Sequence, residues 1–550
     1  MSGPGPGGRA PDSPPPPPGP SAGGGRGPTG GVGGPGRPAA AHLAVAPRHD
    51  RRRLGALVVL GLLIAGIAAG VQLVGSGDEA DDNATEQRAS ATTAPAAQPG
   101  APGAPTTAAD DAGGAPASGF ATPGLLTFRG SPSRSYYGQG PVPERPEVLW
   151  TYPGEDGNMC AESTVGNETK TWCGTGWTGQ PSVFERDGRT WVVFGAYDRH
   201  VHFVDFETGE DIIPPFPTGD IIKGSVSVDP DGFPLVYSGS RDNSLHVISI
   251  AGPEPVELWS LSADAVSPTK WNDDWDGSPL VMDDLLYEGG ENSQFHIVKL
   301  NRGYAADGSV TVAPQLVFNT PGWDDELLGA IGDNEVSIEN SVSYHEGTIY
   351  FANSGGLVQG WDVSGVAEGR MPTRTFRFWT GDDTDASVVV DDEGFLYVGS
   401  EYERGTQRSA EIGQLMKLDP RRADPLVWKV DDRDTLPAGI WGTPALYGDL
   451  VVAPTDGGRV LGVDRRTGAV RWTLELPPPT WQSPVIVDDV LVQGDCSGVL
   501  HGYDVSDTTV TPPELWSVEL GGCIESTPAV WGGRMFVGTR SGRFFALGDA

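Results

Sequence analysis

Asp276, Glu339 and Asp385 occupy the same place in three consecutive copies of a repeated phrase, two residues ahead of a Ser start. More acids flank them: Asp273, Asp274, Asp324, Asp325, Glu326, Asp382 and Asp383. Converging carboxylates repel one another unless a cation, protons or water comes between them, and hard oxygen ligands suit Ca2+. Asn340 adds an amide oxygen, so Asp276, Glu339, Asn340 and Asp385 form the expected metal set. A second reading competes with it, in which the acids cap strand ends and bond to neighbouring amides. The other copies carry Thr178, Lys223, Trp441, Trp481 and Glu525 at this place. Trp441 and Trp481 offer a stacking floor for a planar ring or a sugar, with Lys223 as a charge across from them. Lys223, Asp276, Glu339, Asp385, Trp441, Trp481 and Glu525 are therefore the expected ligand-binding residues.

The phrase itself sets what must hold these side chains. It occurs eight times, starting at Gln180-Pro181, Ser225-Val226, Ser278-Pro279, Ser341-Val342, Ser387-Val388, Thr443-Pro444, Ser483-Pro484 and Thr527-Pro528. Each copy has short apolar runs of period 2 separated by turn signals such as Gly457-Gly458 and Thr467-Gly468, and supplies about four strands. A blade-sized period of short strands predicts an all-β, eight-bladed β-propeller. The innermost strand of each blade opens at the Ser/Thr start, so the residue two places earlier points to the central funnel. The last copy stops at Phe544-Phe545-Ala546-Leu547-Gly548, and Val148-Leu149-Trp150-Thr151-Tyr152 has no blade of its own. That N-terminal strand is expected to join blade 8 and close the ring.

The fullest copy, Gly458 to Trp472, and the partial one at Val201 to Glu210 resemble the repeat of pyrroloquinoline-quinone-type (PQQ-like) propellers. The lead-in Phe128-Arg129-Gly130-Ser131-Pro132 with Gly138 is similar to that of many such proteins. The resemblance covers residues 125 to 550. It implies a fold shared by alcohol and glucose quinoprotein dehydrogenases, by the propeller lipoprotein of outer-membrane assembly and by members that bind no quinone. The dehydrogenases hold Ca2+ with Glu, Asn and Asp, which Glu339, Asn340 and Asp276 or Asp385 would imitate; Trp441 or Trp481 would imitate the stacking floor and Lys223 the quinone's cationic partner. The adjacent cysteines of the alcohol enzymes are missing here. So are a Cys-x-x-Cys-His haem motif and a lipobox cysteine. No Gly-x-Ser-x-Gly or His-Glu-x-x-His occurs, and the chain has only eight His.

Residues 1–53 are Gly, Pro and Ala tracts, read as a disordered cytoplasmic tail. Leu54 to Val74 is apolar except for Gln72, long enough to span a bilayer. Arg48 and Arg51 to Arg53 precede it and Asp78, Glu79, Asp81 and Asp82 follow it, which puts the N-terminus in the cytoplasm and the propeller outside. Arg51-Arg52-Arg53 also resembles a twin-arginine export signal. Residues 75–119 form an Ala/Thr/Pro linker, and 120–550 the propeller. The net charge is −36. It disfavours nucleic acid and favours basic partners.

Four cysteines fit two disulfides with three possible pairings. The loop entering the innermost strand and the turn between the second and third strands open on one face. Cys160 and Cys173 share the entry loop of blade 1; Cys496 sits in such a turn of blade 7 and Cys523 in the entry loop of blade 8. The expected pairs are Cys160–Cys173 and Cys496–Cys523. The functional expectation is a single-pass, membrane-anchored, extracytoplasmic binding or scaffold module of the cell envelope, engaging an envelope protein or a small ligand. The alternative is a PQQ- and Ca2+-dependent dehydrogenase of alcohols or sugars.

Overall fold

The computed structural model describes residues 120, 122–154, 157–165, 168–176, 179–433 and 438–550. The tail, the apolar stretch 54–74, the linker 75–119 and Thr178 lie outside them. Eight blade sheets follow one another along the chain; seven have antiparallel strands A to D in sequence order, and the last has A to C from the final repeat, flanked by Gly138–Gln139 and Glu147–Tyr152. Blade 6 shows the pattern, with A at Ala445–Tyr447, B at Leu450–Pro454, C at Arg459–Asp464 and D at Val470–Glu475. Strand B is buried along its whole length because the blades pack face to face and cover both its sides, while D alternates at the rim. The core therefore lies between blades: Phe194 of blade 1 stacks on Phe544 of blade 8 with ring centroids 3.9 Å apart, and Phe295 of blade 3 on Phe351 of blade 4 at 5.0 Å.

Each element of the repeated phrase has a physical task. The Ser/Thr starts form a belt in which a backbone N–H of one blade donates to the hydroxyl of the next: Ser278 to Ser341 (2.9 Å), Ser341 to Ser387 (3.0 Å), Ser387 to Thr443 (3.0 Å) and Thr443 to Ser483 (2.9 Å). The Asp-x-x-Thr-Gly turns are capped by their own aspartate, Asp464 Oδ1 accepting the N–H groups of Arg466 and Thr467. Gly468 has φ 75°, and a Cβ there would lie 2.8 Å from the ring of Trp428 in the preceding blade. That Trp then donates from Nε1 to the Arg465 carbonyl, at 3.0 Å, so the strand-D tryptophan and the next blade's Thr-Gly turn form one fastening. Trp150 makes the same bond to Phe206.

Strand D of blade 8 is Glu147–Tyr152, which pairs antiparallel with strand C, Arg543–Gly548. Residues 124–139 run through the middle of the ring and touch every blade. Gly124 and Leu125 pair with strand A of blade 1, and the Leu126 carbonyl accepts from Val228 of blade 2. The Phe128 N–H reaches Ser278 of blade 3, while the Pro132 and Ser133 carbonyls accept from Tyr344 of blade 4 and Val390 of blade 5. Arg129, fully buried, donates to the carbonyls of Thr443 and Pro444 of blade 6 and Pro484 of blade 7. Gly138 and Gln139 pair parallel with strand A of blade 8. Among the described residues no helix is long and apolar enough to cross a membrane.

Candidate functional site at the mouth of the ring

The entry loops and B–C turns meet on one face, and there the funnel positions divide into separate groups. Lys223 is buried with its Nζ 2.7 Å from Glu291 Oε1, 3.3 Å from Asp274 Oδ2 and in contact with Asp276 Oδ2. Asp274 also binds Arg241 Nε at 2.5 Å, and Asn272 donates to Glu291 at 2.8 Å. Three carboxylates thus surround two cations, leaving one negative charge in excess. Burial pushes Asp276 and Glu291 up from the usual carboxylate range against the pull of Lys223. Burial would lower the Lys223 ammonium, but Asp276 and Glu291 outweigh it and hold it above its ordinary value. Burial is the largest cause for all three groups, and the acids beside Lys223 favour its charged form. At the edge, Asp273 is pushed up to about 6 by burial and by Asp274.

A second acidic group lies in blade 5. Oxygens of Asp383, Asp385 and Glu401, all buried, fall within 4.8 Å of one another. Asp382 beside them accepts the N–H groups of Asp383, Arg404 and Gly405 at 2.9–3.0 Å, and Arg404 Nη1 lies 3.9 Å from Asp383. These three carboxylates have the oxygen-donor chemistry that a hard cation takes.

The four residues expected as one metal set are distributed differently. Asp276 belongs to the Lys223 cluster and Asp385 to the blade 5 group. Glu339 accepts from Ser337 and Ser354 at 2.5 and 3.0 Å. Asn340 spends its amide on backbone, donating to the Ala352 and Thr384 carbonyls at 3.0 Å and accepting from Ala352 N–H at 3.2 Å. It stands where blades 2 and 3 have Gly224 and Gly277, whose Cβ atoms would fall 2.4 Å from the Asp276 carbonyl oxygen and 2.3 Å from Glu288. Lys223, expected across from the tryptophans, is instead held on the acids. Trp441 and Trp481 stack on each other, centroids 4.9 Å apart and planes 15° off parallel, with Trp481 Nε1 donating to Asp456 at 2.5 Å. Glu525 binds Arg540 at 3.2 Å.

Both disulfides lie on this face, joining Cys160 to Cys173 and Cys496 to Cys523. The first ties the ends of a hairpin, Cys160–Val165 with Glu168–Cys173. Trp172 of this hairpin lies between two guanidinium groups, Arg241 at 5.4 Å and Arg540 at 5.0 Å, and edge-on to Tyr197. Arg241, Glu291, Glu401 and Arg540 belong to the B–C turns of this face, which the sequence offers as separate polar turns. Combining turn and entry loop of the same face was the signal that unites them with the funnel acids. The role of Trp172 had no such signal, because the hairpin is outside the repeat.

Against known proteins, residues 384–495 match the family model described as outer membrane protein assembly factor BamB, which spans most of blades 5 to 7. In its repeat and its ring of four-stranded sheets the chain resembles the PQQ-like β-propellers. No curated protein matches the chain. Similar solved structures include the computationally designed Ika8 protein, at 14% identity over 68% of this chain and 99% of that one, with a TM-score of 0.49. BamB from Moraxella catarrhalis is 13% identical, over 74% of this chain and 99% of its own, TM-score 0.36. Quinohemoprotein alcohol dehydrogenase from Comamonas testosteroni is 13% identical, over 78% of this chain and 81% of its own, TM-score 0.47.

Proposed function

We propose that this protein is a membrane-anchored, extracytoplasmic propeller that acts as a non-enzymatic binding platform of the cell envelope, with the mouth as its working face and an envelope protein as its partner. The observation that carries this reading is the engagement of Lys223. A quinone's cationic partner would have to leave three buried carboxylates, and separating a buried ion pair from one side costs several kcal/mol. Asn340, the amide ligand a quinone-linked Ca2+ would need, is committed to backbone. A rigid ring with a polar, loop-built rim is what docking requires. The anchor rests on the apolar run Leu54 to Val74 and the arginines before it. We further infer that Glu147–Tyr152, paired to the last strand, closes the ring.

The second reading, a PQQ- and Ca2+-dependent dehydrogenase, draws support from one group, Asp383, Asp385 and Glu401. One assay separates the two. Purified protein mixed with pyrroloquinoline quinone and Ca2+ is expected to gain no quinone absorbance and to reduce no dye over a panel of alcohols and sugars; quinone uptake with dye reduction overturns the platform. Photo-cross-linking from Glu403, exposed beside Arg404 in the B–C segment of blade 5, is expected to give one discrete protein adduct in intact cells. Alkaline extraction of membranes, with N-terminal sequencing of the mature protein, tests the anchor: release into the soluble fraction removes it.

A further inference from the structure

His246 occupies a position in strand C of blade 2 where both ring nitrogens meet acids. Nδ1 is 2.5 Å from Glu257 Oε1 on strand D, and Nε2 is 3.2 Å from both oxygens of Asp242 in the B–C turn. A neutral imidazole has one N–H and one lone pair, so it satisfies one carboxylate and repels the other; only the imidazolium donates to both. The same place is filled by a histidine in three further blades, and their partners are graded. His501 of blade 7 repeats the arrangement, with Glu514 at 2.7 Å and Asp495 at 3.3 Å. His202 of blade 1 has Tyr152 on one side and Asp198 on the other. His296 of blade 3 meets the amide of Asn292, and burial lowers it to about 4.

Besides Asp242 and Glu257, the neighbour facing the His246 ring from blade 1 is the uncharged ring of Phe216. Burial alone would draw the proton off, but Asp242 and Glu257 outweigh it and raise the group above its ordinary value of 6.5. Asp242 has a second task, accepting the Gly219 N–H of the chain that leaves blade 1, at 2.7 Å. Next to it, Arg241 reaches the Asp274 carboxylate of the Lys223 cluster and covers Trp172 of the disulfide hairpin. One proton on His246 therefore sits beneath the turn that joins cluster, hairpin and rim.

We propose that His246 is a proton-dependent fastener of the blade 2 mouth turn: protonated, it holds residues 240–244 and thereby Arg241 in place, and its deprotonation frees the turn while the ring stays folded. The sign follows from the raised value. The stabilisation is complete below the unfolded value of 6.5 and is lost as pH rises through the folded one. The consequence for partner binding rests on the mouth being the working face, but the fastener itself is read directly from the turn, so the two can fail separately.

The test is amide hydrogen exchange of the full chain from pH 6 to 9, corrected for the base-catalysed intrinsic rate. Protection across residues 240–246 is expected to fall with rising pH by up to about tenfold per unit between the unfolded value of 6.5 and the folded one and to level off above it, while the blade 3 turn before His296 stays level throughout. His246→Gln is expected to show the low protection already at pH 6, without pH dependence. Glu257→Gln, which keeps the histidine, is expected to move the loss to lower pH, with the ring's melting curve confirming that it is folded. A level course in wild type, the same course in both turns, or an unmoved course in Glu257→Gln overturns the proposal.

Discussion

At the scale of single residues, buried charge is placed where its partners decide the cost. Lys223→Met leaves Asp274, Asp276 and Glu291 facing one another with Arg241 alone to offset them. The expected loss is about 3–5 kcal/mol in urea melts at pH 8, and a smaller loss at pH 5, where acids whose values burial has raised already hold protons. Glu288 makes the opposite case. It is buried, neither carboxyl oxygen has a hydrogen-bond partner among the described residues, and burial raises it well above the usual range against the pull of Arg134. An unfolded Glu288 gives up its proton near 4.5 while the folded one keeps it, so its contribution to stability falls as pH rises from there. Glu288→Gln removes that cost. It is expected to be more stable than wild type at pH 8 by on the order of 1–3 kcal/mol in urea melts and level with it at pH 4; a variant less stable at pH 8 would count against a protonated Glu288.

At the scale of elements, the Ser/Thr belt shows why a short phrase repeats so strictly. The hydroxyls of Ser341, Ser387, Thr443 and Ser483 each accept a buried N–H of the preceding blade, so losing one orphans a donor where water does not reach. Ser387→Ala is expected to cost about 1–3 kcal/mol by denaturant midpoint. The strand-D tryptophans and Thr-Gly turns were legible as repeat marks because each is local in sequence. Their joint function was not, since Trp428 and Gly468 belong to different blades. Topology helped choose the cysteine pairs, because entry loops and B–C turns of a four-stranded blade open on one face, and the structure joins Cys160 to Cys173 and Cys496 to Cys523.

At the scale of the whole molecule, Glu147–Tyr152 pairs with the last strand, Arg543–Gly548, and residues 124–139 contact all eight blades. A chain starting at 120 is expected to fold and melt cooperatively, whereas one starting at 153, which lacks the central segment and strand D of blade 8, is expected not to fold. A soluble, cooperatively melting product of the second deletion, seen by circular dichroism, would remove the closure by Glu147–Tyr152. Such long-range closure is costly in chain entropy, which is why both parts are tied by many bonds rather than by one.

The repeat by itself determined the number of blades and the order of strands, and offered the mouth residues as an expectation, because alternation of period 2 and turn chemistry act over a few neighbouring residues. It left undecided which of those residues meet. Lys223 finds Glu291 at a separation of 68 residues, and Arg129 finds Pro484 at 355. Only the ring brings such pairs together, since charge and hydrogen-bond partners are chosen by distance in space once the backbone has been folded into eight blades. The separation of the funnel acids into one group held on Lys223 and Arg241 and another of three carboxylates beside Arg404 was therefore a decision of the tertiary structure.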